Sequence, residues 1–196
     1  MYSPFNIGTR FRITPPGDNP VEDERIPLVI AKGAFGSGEH ETSASCLEIL
    51  EELPQIQGAR VLDLGSGTGI LAIGALHLGA AQAVCIDINP DAVRTCRLNC
   101  EHNGVSERVT HIAGSLESAK EHDFDLILAN IYGDILLDVA EDLVARAAPG
   151  ATILLSGILW EYNFDIRKYY QQLGCSLKKN RLMEEFSTVL LQKRGT

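Results

Sequence analysis

The first residues that could do chemistry form a glycine-rich turn that begins with an acid. Residues 63–69 read Asp-Leu-Gly-Ser-Gly-Thr-Gly. Glycines permit a tight turn and let a ligand approach the backbone, and the amides of a following helix then face that ligand. The dinucleotide pattern G-x-G-x-x-G is not met, because Ile70 stands where its third glycine should be. Asp63 is unfavourable beside a pyrophosphate and favourable beside an ammonium or sulfonium group.

A second acid, Asp87, follows the next apolar run, 18 residues after Gly69. A carboxylate at that place can accept hydrogen bonds from both hydroxyls of a ribose. The alternative, that Asp87 only caps the next helix, is less favoured because Asn89 already supplies that cap. Together Asp63 and Asp87 predict a pocket for a nucleoside with a positively charged amino-acid tail. S-adenosylmethionine fits this description.

The elements that position these residues alternate between helix and strand from residue 42 onward. We predict helices over 42–53, 69–78, 89–103, 134–147 and 161–173, and strands over 60–64, 83–86, 109–113, 124–129 and 153–156. Ser45 and Glu48 have capping-box spacing. Asp134 is the expected cap of its helix, which Pro149 and Gly150 should end. This alternation predicts an α/β fold with a parallel sheet covered on both faces. Segments 176–183 and 187–192 have hairpin spacing and should add an antiparallel strand at one edge.

The N-terminal part has a different pattern. A turn-rich loop at 14–20 is flanked by candidate strands at 11–13 and 26–31. We expect residues 1–41 to form a small cover or lid, and residues 42–196 to form the domain that binds S-adenosylmethionine. The glycine-rich segment 33–43 reads either as a mobile piece that folds over the cofactor or as a plain linker with a helix cap. No metal site is expected there, since H-E-x-x-H would need a histidine where Ala44 stands.

Composition excludes several classes of protein. The 196 residues are 45% hydrophobic, which excludes a disordered chain, and 17 Lys and Arg against 26 Asp and Glu give a net charge of −9. That charge disfavours nucleic acid and suits a basic partner such as a lysine-rich protein. Five cysteines without C-x-x-C spacing predict buried thiols in a reducing compartment, the cytoplasm. No secretory signal or membrane span is expected.

Two motifs resemble those of a large enzyme family. Residues 61–69 (Val-Leu-Asp-Leu-Gly-Ser-Gly-Thr-Gly) resemble motif I of the class I S-adenosylmethionine-dependent methyltransferases. Residues 85–89 (Cys-Ile-Asp-Ile-Asn) resemble the acidic motif that follows it. The resemblance implies a seven-stranded, Rossmann-like sheet whose last strand is antiparallel.

Flanking segments narrow the resemblance. Residues 33–43 (Gly-Ala-Phe-Gly-Ser-Gly-Glu-His-Glu-Thr-Ser) are similar to the A-F-G-[ST]-G-x-H-x-T-[ST] signature of the methyltransferases that modify a large-subunit ribosomal protein, the PrmA family. Residues 125–131 resemble that family's strand ending in Ala-Asn-[IL]. Residues 114–117 and 156–159 also fit its pattern.

The resemblance implies roles for individual residues. Asp63 would lie near the methionine amino group, Gly65 and Gly67 would form the floor, and Asp87 would hold the ribose. The other implied cofactor contacts are Phe35, Thr42, Ser43, Ile88, Ser115, Leu116 and Asn130. Asn130 is also a catalytic candidate, because its side-chain carbonyl could accept a hydrogen bond from a nucleophilic amine. His40 is a candidate base or orienting group, with a structural hydrogen bond as the alternative.

Together these features predict a methyltransferase that acts on amino groups of a protein, either a lysine or an N-terminal amine. The PrmA family carries a separate N-terminal recognition domain, and the few residues before Phe11 lead us to expect that domain to be absent. A small-molecule acceptor and a non-catalytic cofactor-binding module are therefore the alternatives. A nucleic-acid acceptor is disfavoured, because residues 130–133 (Asn-Ile-Tyr-Gly) lack the N-P-P-[FY] motif. Tyr132 and Trp160 would line the acceptor pocket or pack in the core.

Overall fold

The computed structural model describes residues 2–18, 24–31 and 38–195. Ten strands and six helices follow one another along these residues. In chain order they are β1 (Phe5–Ile7), β2 (Phe11–Thr14), β3 (Ile26–Val29), α1 (Glu41–Glu51), β4 (Arg60–Leu64), α2 (Ile70–His77), β5 (Gln82–Asp87), α3 (Pro90–His102), β6 (Val109–Ala113), β7 (Phe124–Asn130), α4 (Gly133–Asp138), α5 (Ala140–Arg146), β8 (Ala147–Leu159), α6 (Trp160–Gln172), β9 (Cys175–Leu182) and β10 (Phe186–Lys193).

Seven strands form the main sheet, in the order β6-β5-β4-β7-β8-β10-β9. The pairings from β6 to β8 are parallel, whereas β10 is antiparallel to both of its neighbours. The predicted α/β fold with an antiparallel last strand is therefore confirmed. The β9–β10 hairpin also lies at one edge of the sheet, as its spacing predicted: β10 pairs with β8, and β9 is the outermost strand.

Helices cover both faces of this sheet, which explains the continuous apolar runs of its central strands. One core lies between the sheet and α1, α2 and α3, and includes Leu47, Ile73 and Cys96. The other lies under α4, α5 and α6, and includes Leu143 and Tyr170. Because β4 is parallel to its neighbours β5 and β7, the carboxyl ends of these three strands lie side by side at one edge of the sheet, where open α/β sheets bind ligands.

A small three-stranded sheet precedes the main one, with β1 antiparallel and β3 parallel to β2. The strands at 11–13 and 26–31 were predicted, whereas β1 was not. Phe11, Ile13 and Leu28 are fully buried and belong to the same core as α1 and α2. The division of the chain at residue 41 stays a prediction.

Helix α1 begins differently from the prediction. Its N-cap is His40, whose side chain accepts a hydrogen bond from the Thr42 N–H. Ser45 lies inside the helix and is buried, so the capping box expected from Ser45 and Glu48 was wrong. Both side chains instead face β9, where Arg181 donates to the Ser45 hydroxyl and to the Glu48 carboxylate.

The helix predicted over 134–147 is interrupted and begins earlier than expected. Its N-cap is Tyr132 rather than Asp134, which lies in the first turn. At Val139 the backbone has φ −94° and ψ 3°, which separates α4 from α5. The helix ends at Arg146, before Pro149 and Gly150, as expected. These two residues lie within β8, where its register against β7 shifts.

Two further properties concern the environment of the chain. All five cysteines are unpaired and buried, as their spacing predicted. Within the three described ranges, no helix has the length and apolar character needed to cross a membrane.

Candidate cofactor and acceptor site

The glycine turn between β4 and α2 is held against the end of β5. The N–H groups of Gly65 and Ser66 both donate to the Ile86 carbonyl, at 2.8 and 3.0 Å. Gly65 has φ +70°, and a Cβ on it would lie 2.3 Å from Cγ2 of Ile131. Only glycine therefore fits this position, because a side chain would both strain the backbone and collide with Ile131.

Asp87 lies at the end of β5 and supports the turn from one side. Its Oδ2 accepts from the Gly67 N–H at 2.9 Å, and its Oδ1 accepts from the Asn89 N–H at 2.9 Å. An ionised carboxylate offers about four acceptor positions, two on each oxygen. Each oxygen thus keeps one acceptor position, which matches the two neighbouring hydroxyls of a ribose.

Asp63 differs from Asp87 in being almost completely enclosed, with 1% of its surface exposed. Its Oδ2 accepts from the Ala72 N–H at 3.2 Å. Burial raises the pKa of Asp63 from 3.8 to about 7, the Ala72 hydrogen bond opposes that rise, and the Asp87 charge adds to it. Within the described part of the chain no Lys, Arg or His forms an ion pair with Asp63. A ligand cation would therefore find an uncompensated carboxylate here.

Asn130 ends β7, on the other side of the turn. Its Nδ2 donates to the Ser43 hydroxyl of α1 at 3.3 Å. Its Oδ1 faces Gly157, where a Cβ would lie 3.1 Å from that oxygen and 2.7 Å from the Ile131 carbonyl. Gly157, with φ +76°, is a site residue that sequence reasoning placed in a motif without giving it a role. Its missing side chain leaves the Asn130 carbonyl oxygen uncovered.

His40 serves the fold in a definite way. Its Nδ1 lies 2.9 Å from the Thr42 hydroxyl and accepts from the Thr42 N–H at 3.4 Å. Its ring packs edge-on against Phe186, with 5.2 Å between ring centres. This is the structural hydrogen bond that stood as the alternative. A role as a base would fall to Nε2 and stays a prediction.

The remaining candidates lie around the same edge of the sheet, and their contacts with a cofactor stay predictions. Ile88 is 77% exposed beside Asp87, whereas Leu116 is buried. Ser115 precedes a short 3-10 turn at Leu116–Ser118. Thr42 and Ser43 are buried in the first turn of α1. Phe35 lies outside the described residues.

Two aromatic side chains follow the ends of β7 and β8. Tyr132 is 63% exposed and Trp160 is 55% exposed, so neither packs in the core. The Trp160 indole N–H donates to the Phe186 carbonyl at 3.1 Å, which ties it to the segment beside His40.

Over residues 2–18, 24–31 and 38–195, no group of three or more His, Cys, Asp or Glu side chains could hold a metal ion.

The sequence of this chain is similar to those of known proteins. The family model for ribosomal protein L11 methyltransferase (PrmA) matches residues 1–194. A ribosomal protein L11 methyltransferase of Trichlorobacter lovleyi is 40% identical over 184 residues, which cover 90% of this chain and 60% of that protein. One of Geobacter metallireducens is 39% identical, over 97% of this chain and 63% of that protein. The chain thus spans about three fifths of the length of these curated relatives.

The fold is also similar to that of solved methyltransferase structures. A ribosomal protein L11 methylase from Lactobacillus delbrueckii subsp. bulgaricus superimposes with a TM-score of 0.89 at 25% identity, over 98% of this chain and 100% of that chain. An RNA methyltransferase from Salinibacter ruber in complex with S-adenosyl-L-homocysteine, at 20% identity and a TM-score of 0.62, covers 76% of this chain and 91% of that one and shares the fold. The chain belongs to the ribosomal protein L11 methyltransferase family.

Proposed function

We propose that this chain is an S-adenosylmethionine-dependent methyltransferase that methylates an amino group of a protein. The observation that carries the proposal is the pair of carboxylates on either side of the glycine turn. Asp63 is buried and pairs with no Lys, Arg or His of the described residues, and Asp87 keeps one acceptor position on each oxygen. S-adenosylmethionine offers an ammonium group to the first and two ribose hydroxyls to the second.

The residues around the turn would hold the rest of the cofactor. Gly65 and Gly67 leave the floor of the site without side chains, so the ligand can lie against the backbone. Ile88, Ser115 and Leu116 are the proposed neighbours of the adenine. The cofactor would supply the electrophile, a methyl group on a sulfonium. The protein then acts mainly by holding the two reactants in line and excluding water, which can lower a barrier by about 7–11 kcal/mol.

Asn130 is the proposed contact with the nucleophile. An amine attacks only in its neutral form, and a free lysine has a pKa of about 10.4, so burial in the site must favour the neutral form. The Asn130 carbonyl oxygen could then accept one N–H of the amine and direct its lone pair. Asn130 cannot remove a proton, so the base is another group, for which His40 is the candidate.

The surroundings of this edge favour a basic protein as acceptor. Glu184 and Glu185 directly precede Phe186, whose ring contacts His40, and the Glu184 N–H donates to the Glu41 carboxylate at 3.4 Å. These three carboxylates would attract a lysine-rich segment. The relatives are named for ribosomal protein L11, which makes that protein the first acceptor to test.

The test has a binding arm and a transfer arm. Calorimetry should show binding of S-adenosylmethionine and of S-adenosylhomocysteine to the purified chain. With isotope-labelled S-adenosylmethionine, the chain should transfer the labelled methyl group to purified ribosomal protein L11, and mass spectrometry should locate it on an amine. The same assay on a cell extract, separated into protein and metabolite fractions, shows which class of molecule accepts the label. A reaction without the enzyme gives the background, and Asn130→Ala is assayed beside the wild type as a test of the proposed nucleophile contact.

Each arm can contradict a different part of the proposal. Absence of cofactor binding would refute the methyltransferase assignment. Binding with label entering only the metabolite fraction of an extract would refute the protein acceptor. Binding with no transfer to either fraction would favour a non-catalytic module.

A further inference from the structure

Asn99 is a buried asparagine of α3 that hydrogen-bonds to two segments far from it in sequence. Its side chain is 0% exposed. Its Nδ2 donates to the Thr68 carbonyl in the glycine turn at 2.9 Å, and to the Ala31 carbonyl at 3.4 Å. Its Oδ1 accepts from the Ala31 N–H at 2.8 Å. One amide therefore joins the proposed cofactor turn to the residue that follows β3 by two positions.

The hydrogen bond from Asn99 fixes one side of the Thr68–Gly69 peptide group, and a second hydrogen bond fixes the other side. The carbonyl of Thr68 and the N–H of Gly69 belong to the same peptide, and that N–H donates to the Ser66 carbonyl at 2.7 Å. Gly69 has φ +79° and is the N-cap of α2. A Cβ on Gly69 would lie 2.5 Å from the Cys96 sulfur of α3. Helix α3 thus supports the turn both by contact and by the Asn99 hydrogen bond.

A second asparagine on the same helix provides a comparison. Asn103 Oδ1 accepts from the Val29 N–H at 2.9 Å, and its Nδ2 donates to the Val29 carbonyl at 2.8 Å and to the Asn99 carbonyl at 2.7 Å. The two asparagines therefore pair with the backbone N–H and carbonyl groups of Val29 and Ala31, two residues apart at the end of β3. Both anchor that edge, but Asn99 also reaches the glycine turn.

We propose that Asn99 is a positioning residue of the cofactor site, whose amide sets the orientation of the Thr68–Gly69 peptide relative to the chain end of β3 at Ala31. The inference rests on the proposed function, since it assumes that the turn binds S-adenosylmethionine. A buried amide with three partners is costly to leave partly unpaired, so its replacement should reorient the turn rather than leave it in place.

The test compares the same substitution at the two asparagines. Asn99→Asp keeps an acceptor for the Ala31 N–H and loses the donor to the Thr68 and Ala31 carbonyls. Asn103→Asp keeps an acceptor for the Val29 N–H and loses the donor to the Val29 and Asn99 carbonyls. We expect Asn99→Asp to raise the Kd for S-adenosylhomocysteine by roughly tenfold, as one lost hydrogen bond with an unpaired partner should. Asn103→Asp should stay within about twofold of the wild type, because the hydrogen bonds of Asn103 described above go to Val29 and to the Asn99 carbonyl rather than to the glycine turn. The cofactor KM should follow the same pattern, with kcat changed less than KM.

Folding is checked by thermal melting, and Asn99→Ala is the second variant, which removes the amide donor and acceptor without burying a charge. An unchanged Kd in the folded Asn99 variants would overturn the proposal. Equal losses of affinity in the Asn99 and Asn103 variants would also overturn it, because they would assign both residues to general packing. Failure of both Asn99 variants to fold would assign Asn99 to the fold instead. If the wild type binds no S-adenosylhomocysteine, the proposed function fails first, which keeps the two failures distinct.

Discussion

Replacing Asp63 by asparagine should stabilise the cofactor-free protein above neutral pH and weaken its binding of S-adenosylmethionine. Burial raises the pKa of Asp63 from 3.8 to about 7. Between these two values the folded chain keeps a proton that the unfolded chain releases. Because the folded state then binds more protons, the free energy of unfolding falls as the pH rises through this window.

The structure sets the size of this effect. The pKa difference of Asp63 corresponds to about 4 kcal/mol, at about 1.4 kcal/mol per pKa unit. This contribution is fully present below the unfolded pKa of Asp63 and is lost above about pH 7. Asparagine resembles the protonated acid in shape and can still accept from the Ala72 N–H, but it cannot ionise. The variant should therefore match the wild type at about pH 4 and exceed it by up to about 4 kcal/mol at about pH 8.

Urea unfolding followed by circular dichroism, at several pH values and without cofactor, measures this difference. Asp138→Asn, which removes an exposed carboxylate of α4, is the matched control and should show no comparable trend. In calorimetry the Asp63→Asn variant should bind S-adenosylmethionine roughly ten- to a hundredfold more weakly, since it loses a hydrogen bond to a charged group. A stability difference that does not change with pH would refute the reasoning about burial. Unchanged affinity would refute the ammonium contact.

Three further substitutions test the rest of the site. Asp87→Ala should weaken S-adenosylmethionine binding by about tenfold or more in calorimetry, because the Gly67 N–H and the ribose both lose their acceptor; equal affinity would remove the ribose assignment. Asn130→Ala should lower kcat by about a hundredfold and affect the cofactor KM less, and a rate near that of the wild type would show that the amine has another acceptor. Gly65→Ala should cost about 1–3 kcal/mol of unfolding free energy in urea, owing to its positive φ and the contact with Ile131. Adding Ile131→Ala should recover part of that loss, and no recovery would argue against the contact.

The sequence was informative wherever the physical cause is local. The turn at residues 63–69 and the cap at Asn89 depend on neighbours within a few positions, and Asn89 does accept from the Asp91 N–H. The apolar run at 60–64 reports burial on both faces of the sheet. For this reason the fold class and the strand ends could be predicted, and with them the edge where Asp87 and Asn130 lie.

Features that depend on distant parts of the chain were not predictable in this way. Ser45 and Glu48 have the spacing of a capping box, but they bind Arg181, which lies more than 130 residues away. Asn99 gives no sequence signal, because its partners are backbone groups whose identity leaves no pattern. Hairpin spacing predicts that β9 and β10 pair with each other, but it does not tell which of the two pairs with β8, since that partner is distant in sequence.

Asp87 ends β5 and Asp63 lies one residue before the end of the neighbouring β4, yet the two carboxylates lack different interactions that a ligand could supply. Asp63 is buried away from solvent and, among the described residues, accepts one hydrogen bond, from the Ala72 N–H, so positive charge would stabilise its ionised form. Asp87 has two protein donors and retains two acceptor positions, so it requires hydroxyl groups rather than charge. A pyrophosphate would bring negative charge against both acids and would satisfy neither. A nucleoside with an ammonium-bearing tail satisfies both at once, and this is why the two acids together argue for S-adenosylmethionine more strongly than the glycine turn does.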